Sequence, residues 1–337
     1  MTIAARLTRH APWALALLLI PLALSILWHE LGPIARAAPP AQDRAVAITA
    51  RPLDGIGTRI GPFRLAGALA LASDDPGFGG LSGLAAAGDG RLVAVTDAGQ
   101  WLGLVLRLAD GRLTGVAAAR MAGFAAGAEK SDLDAEAIVI TPGGRTLISL
   151  EQRHRILVLA GLAPPFRTEG TMFRTGAISW PGNGGGEALA LLPDGHSLWI
   201  AEEARPAPGV AAALLTAPDG TTRQIGVPVP PGFLPTDATL LDARRLLVLH
   251  RRFDGVSVGA AITLIDLGPV LAGGETASMQ LLARWGSGGP WPIDNMEGLT
   301  LVRSGGQTSL FLVSDDNFSL GQRTLLLQLA MDPLPSP

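Results

Sequence analysis

Cysteine is missing from all 337 residues, which excludes disulfides, zinc–thiolate centres, a thiol nucleophile and a lipid-modified cysteine anchor. A chain that works outside the cytoplasm without disulfides rests on its own core, and one of this length buries enough surface to do so. Lysine is almost missing too: Lys130 stands alone, and arginine carries the rest of the positive charge. Arginine's planar fork of donors suits phosphate or carboxylate, although a GC-rich genome produces the same bias. Charged residues make up only 16%, the net charge is −3 and the pI is about 6.0, so there is no basic footprint for nucleic acid. Three catalytic patterns are also lacking. Ser82, in Gly80-Leu81-Ser82-Gly83, does not have the spacing of a nucleophile elbow. The glycine-rich stretch 182–186 precedes a strand rather than a helix and is no phosphate loop. No zinc-protease motif occurs.

What is present begins with hydrophobicity. Apolar residues make up 48%, and 43 glycines and 26 prolines are spread without a collagen period, which suits an all-β chain with many tight turns. At the N-terminus Arg6, Arg9 and His10 precede an apolar run, residues 11–28, that only Pro12, Pro21 and Ser25 interrupt. Positive charge ahead of such a run holds the N-terminus in the cytoplasm and sends the rest outward. Residues 1–38 are therefore expected to be a signal peptide, cut near Ala35-Arg36-Ala37, or a retained signal anchor. Either outcome places the chain in the periplasm or outside the cell, tethered to the inner membrane by residues 11–28 if uncut. Residues 39–57 read as a Pro-containing linker, and 58–337 as the folded domain.

That domain is repetitive. Leu81-Ser82-Gly83-Leu84, a Gly-Asp-Gly turn and Arg91-Leu92-Val93-Ala94-Val95 make the first copy. Later copies start at Ala135-Glu136-Ala137-Ile138, Gly186-Glu187-Ala188-Leu189, Thr236-Asp237-Ala238-Thr239 and Met296-Glu297-Gly298-Leu299. Each is a short apolar strand, a tight turn and a second strand that is more continuously apolar. Taken at Ser82, Glu136, Glu187, Asp237 and Glu297, the intervals are 54, 51, 50 and 60 residues. About 50 residues fits one four-stranded blade, so the expectation is a β-propeller with five countable blades. A sixth, degenerate blade would have to lie within 252–296. A strand between Phe63 and Ala72 is expected to pair with the last blade and close the ring.

In such a ring the starts of inner strands and the ends of second strands converge on one rim. The starts carry Asp134, Glu136, Glu187, Asp237, Asp294 and Glu297; the ends carry Asp97, Glu151, Glu202-Glu203 and Asp315-Asp316-Asn317. Like charges packed together need protons, arginines or cations. Hard oxygen donors without His or Cys suit calcium or another divalent cation, and the expected ligands are Asp97, Asp134, Glu136, Glu187, Asp237, Asp294, Glu297 and Asp315. Any one of these acids serves equally well as a cap for strand-end N–H groups; recurrence in four of five copies favours a metal rim. His154 and His250 follow second strands and are the histidine acid–base candidates, beside Glu136 and Glu297. Arg153, Arg155, Arg251 and Arg252 flank them and could clamp an anionic ester or pair with the rim acids.

These segments resemble the phytase-like (esterase-like) propeller family. Phe78-Gly79-Gly80-Leu81-Ser82-Gly83-Leu84 with Val95-Thr96-Asp97 is similar to its opening elements. Asp134-Ala135-Glu136-Ala137-Ile138 and Gly185-Gly186-Glu187-Ala188-Leu189 are similar to its D-x-E-(G/A)-I and E-(G/A)-L segments. Asp294-Asn295-Met296-Glu297-Gly298-Leu299 and Leu312-Val313-Ser314-Asp315-Asp316-Asn317-Phe318 resemble its C-terminal signature. The resemblance runs from about Phe63 to the end and implies an exported propeller with calcium as the usual metal. The chain departs from the family at Leu249-His250-Arg251, where a glutamate more often precedes the arginine. A lysine-rich phosphate pocket cannot be built from Lys130 alone, which points away from phytate. The leading expectation is a metal-dependent hydrolase of small anionic phosphate or carboxylic esters. A non-catalytic propeller that binds a ligand or envelope partner stands second, and a calcium-dependent lactonase third.

Overall fold

The computed structural model describes residues 42–124, 132–152, 154–173, 180–181 and 184–335. The export segment, its cleavage motif, Lys130 and Arg153 lie outside the described residues. Among the described residues no helix is long and apolar enough to cross a membrane.

The strands form five antiparallel blades in a ring. Blade one is Leu81–Gly88, Arg91–Thr96, Gln100–Ala109 and Arg112–Gly123; blade two is Ala135–Ile140, Arg145–Leu150, Arg155–Ala160 and Arg167–Phe173. Blade three is Gly186–Leu191, Ser197–Ala201, Val210–Thr216 and Thr222–Pro228; blade four is Leu234–Leu240, Arg245–Phe253, Val258–Asp266 and Ser278–Gly286. Blade five takes Asn295–Ser304, Gln307–Asp315 and Thr324–Met331 from the end of the chain and Phe63–Ala72 from its beginning, so the ring is closed as expected. Among the described residues there is no sixth blade. The stretch 252–296 holds the two outer strands of blade four and one short helix, Gly268–Leu271, whose insertion lengthens the interval to blade five. Two strands occur within the segment read as a linker. Arg44–Ala45 pairs with the outer strand of blade one, and Thr49–Pro52 with Phe63–Ala72. Both cover sheet edges that would otherwise present unpaired backbone groups.

The core lies between blades. Alternation along a strand sends successive side chains to opposite faces. In the second strand of blade four, Leu246 and Val248 pack toward blade three while Leu247 and Leu249 pack toward blade five. Five clusters result, one per blade interface; that between blades two and three is small and built around Trp199. At the axis the inner strands approach closely enough to demand glycine. A Cβ on Gly83 would sit 2.8 Å from the backbone of Ala137, and one on Gly298 would sit 3.0 Å from the carbonyl oxygen of Ser82.

Candidate functional site

Every inner strand carries one more residue than its partner at the same level. The register slips at Ser82–Gly83, Glu136–Ala137, Glu187, Thr236 and Glu297 in blades one to five. Such a bulge re-aims the side chain it carries. A second tier stands beside it on the second strands. Thr96, Leu150, Ala201, His250 and Ser314 pair with the inner strands just before each bulge, and the residues that follow them are Asp97, Glu151, Glu202, Arg251 and Asp315. Blades two, three and five thus each give two carboxylates to the mouth, and blade one gives one. Blade four gives a threonine and an arginine. Within these ten positions, seven carboxylates face one guanidinium.

The electrostatics follow from this imbalance. Burial, then Asp134, Glu151, Glu297 and Asp97, push the Glu136 carboxyl well above its ordinary range. Glu187 is raised likewise by burial and by Glu136, Glu202, Glu151 and Glu297. Asp315 is raised by burial and by Asp97 and Glu297. Each of these acids is raised by others of the set, so they share one field. Oxygens of Asp134, Glu136 and Glu151 all lie within 4.8 Å of one another. Arg251 reaches Glu202 at 2.5 Å and Glu297 at 3.1 Å. Burial raises Glu202 against the pull of Arg251. Glu297, under the same two influences, is pushed up to about 7.

Asp237 and Asp294 are positioned differently from the other expected ligands. In blade four the extra residue is Thr236, so Asp237 falls one position past the bulge and turns to the channel axis. Its carboxylate accepts from the backbone N–H groups of Leu299 (2.7 Å), Ala238 (2.8 Å) and, at 3.4 Å, Leu84, tying together blades four, five and one. Asp294 accepts from the N–H groups of Asn295 and Arg323 and from the Arg323 guanidinium. Glu151 combines both roles, since Oε1 also accepts from the N–H groups of Gly184 and Gly185.

The histidines separate. His154, at φ 44°, lies against Trp180 with ring centroids 5.8 Å apart, and a Cβ on Gly185 would come within 3.0 Å of its ring. His250 is fully buried, pairs through Nε2 with Thr263 Oγ1 at 2.8 Å, and is pushed down to about 3 by burial and by Arg205. It is a neutral core residue, because its strand runs on to Phe253 and His250 still faces blade three. Of the four expected arginines, only Arg251 among those described reaches the mouth acids; Arg205, outside the expected set, acts on Glu202 and Glu203. Arg155 donates to Asp132 O at 3.0 Å, and Arg252 pairs with Asp254 at 3.3 Å and lies over the Phe233 ring. Glu151 and Glu202 were visible as strand-end acids but stood outside the expected ligand set; sharing the strand-end position of Asp97 and Asp315 is the signal that includes them.

A family model described as phytase-like, esterase-like activity of phytase, matches residues 76–318. No curated protein matches the chain. Solved structures similar to it include a virginiamycin B lyase from Staphylococcus aureus, at 8% identity and a TM-score of 0.41, covering 85% of this chain and 100% of the other. An exo-1,5-α-L-arabinanase from a bovine ruminal metagenomic library is 9% identical with a TM-score of 0.41, covering 75% and 93%. A putative glucose dehydrogenase from Thermus thermophilus is 15% identical with a TM-score of 0.35, covering 83% and 100%.

Proposed function

The chain belongs to the phytase-like family, and from that premise we propose that it is a divalent-metal-dependent hydrolase of phosphate or carboxylic esters, acting at its carboxylate-lined mouth outside the cytoplasm. The charge balance of the mouth carries this reading: seven carboxylates against Arg251 within the tiers, with Arg205 beside Glu202 and Glu203, leave a deficit that a cation would neutralise. The donors are hard oxygens at variable spacing, which fits calcium better than an ion demanding strict geometry. Asp134 and Glu136, with Glu151 added to the expected set, would hold it, since their oxygens converge; Asp97, Glu187, Glu297 and Asp315 contribute to the field around it. A divalent cation supplies charge that polarises an ester and lowers the pKa of water.

The chain's own residues supply the rest. Glu297, near 7, exchanges a proton close to neutral pH and suits a general acid or base. Arg251, held between Glu202 and Glu297, orients Glu297 and offers its outer donors to an anionic substrate group. Phytate is disfavoured as substrate, since Lys130 is the only lysine. The test is a panel of phosphate and carboxylic esters with calcium, magnesium or manganese. We expect turnover that a chelator abolishes and that Glu297→Gln lowers at least about a hundredfold with the fold intact, within the range that general acid–base groups contribute. No hydrolysis with any cation, or turnover indifferent to chelation, would count against the proposal.

One observation favours a second reading. Asp237, Asp294 and Glu151 accept backbone N–H groups, as acids serving only the fold would. A non-catalytic binding propeller then follows, in which Glu136→Gln and Glu297→Gln change stability and nothing else.

A further inference from the structure

The two mouths of the channel differ in chemistry, and the second has no part in the proposed reaction. A cavity of about 510 Å³ opens where the inner strands end, away from the bulges. All five blades line it, and its wall contains no charged side chain; Thr239 and Thr300 supply the only hydroxyls. Ala86, Ile140, Leu191, Leu240 and Leu301, one from each blade, are half-buried around the wall. Its floor includes Leu84, Ala238 and Leu299, the three residues whose N–H groups are bound by Asp237. The cavity is therefore a cup whose floor strands are tied together by Asp237, which is not itself part of the lining.

We propose that this cup is a binding site for an uncharged, predominantly apolar small molecule. The volume lies within the range of small-molecule sites, roughly 300–1,000 Å³. An ionised ligand would find no counter-charge on the wall and would lose its hydration on entry. An apolar one replaces water against aliphatic side chains, and the hydroxyls of Thr239 and Thr300 offer a partner to a single polar group.

The experiment uses the full chain in lipid nanodiscs, photolysed with a short, uncharged alkyl diazirine and mapped by peptide mass spectrometry. Label is expected on residues 138–142, 189–192 and 238–240, displaced by decanol but not by decanoate, and unchanged by chelation. Leu240→Lys, which sets a charge in the wall, should lower that label at least about tenfold, because the ammonium loses hydration without gaining a partner. Should this variant fail to fold by circular dichroism, the uncharged Ala86→Leu, which narrows the cup, gives the same reading. Label only outside these segments, equal displacement by decanoate, or label unchanged in a folded variant overturns the proposal. None of these outcomes bears on whether the acidic mouth binds metal.

Discussion

Glu297 experiences the two opposing forces of the mouth in one side chain. Burial raises its carboxyl, Arg251 lowers it, and burial prevails, leaving it near 7 against an ordinary 4.5. A group whose pKa is higher folded than unfolded contributes stability that is complete below the unfolded value and is lost as pH rises through the folded one. Chelated protein should accordingly lose stability between about pH 4.5 and 7, with Glu297 accounting for about 3 kcal/mol and its raised neighbours adding in the same sense. Thermal melting against pH in the presence of chelator checks this: Glu297→Gln should flatten the profile, and a wild-type profile that rises over the window contradicts it. Arg251 gives the complementary case. Its removal leaves Glu202 and Glu297 without their guanidinium, so Arg251→Gln should cost about 3–5 kcal/mol at about pH 7.5, as breaking a buried pair does. At about pH 5, where Glu297 is protonated and Glu202 shifts the same way, the cost should shrink. Urea unfolding at the two pH values separates these outcomes, and an equal cost at both would assign Arg251 to packing alone.

The inner strand is the element that joins fold to site, and its bulge explains which parts were legible in the sequence. Strands and turns showed themselves through short apolar runs that recur about every 50 residues and through Gly and Asp at the hairpins, and the acids at strand ends showed themselves through that same recurrence. A one-residue slip in pairing leaves no such mark, and in blade four Thr236 and Asp237 are both polar, so composition does not say which of them is the extra residue. Alignment by chemistry therefore matched Asp237 to Glu187 and Glu297, whereas pairing matches Thr236 to them. His250 was hidden for a related reason: the second strand of blade four extends to Phe253, so a residue that looked like a rim position remains inside the sheet. The displaced Asp237 has a measurable consequence. Asp237→Ala would strand three backbone N–H groups at the axis, and a buried unsatisfied donor costs about 1–3 kcal/mol. We expect a loss of roughly 3 kcal/mol or more in denaturant unfolding, partly recovered in Asp237→Asn, which keeps one accepting oxygen. A loss below about 1 kcal/mol would mean that water replaces the carboxylate and that the axis is not closed by it.

Across the whole molecule, closure of the ring decides whether any mouth exists, because both tiers draw on all five blades. The closing strand Phe63–Ala72 hydrogen-bonds to Thr324–Met331 from the other end of the sequence, and a pair between Arg59 and Asp332 lies beside the seam. It brings Phe63 and Leu65 into the cluster shared with blade four, and Leu69 and Leu71 into the cluster shared with blade one. Four such side chains contribute roughly 6–12 kcal/mol on burial, at about 1.5–3 each. That is comparable with the entire stability of an ordinary domain, about 5–15 kcal/mol. Removal of residues 42–72 should consequently abolish cooperative unfolding, not merely lower its midpoint, because blade five would expose an open edge and two interfaces would lose their packing together. Calorimetry provides the measurement, and a peptide spanning 58–74 added in trans should restore a transition whose midpoint depends on peptide concentration. If the truncated chain still melts in one sharp transition near the midpoint of the intact chain, the five blades hold their ring without a clasp, and the mouth is assembled by the blade interfaces alone.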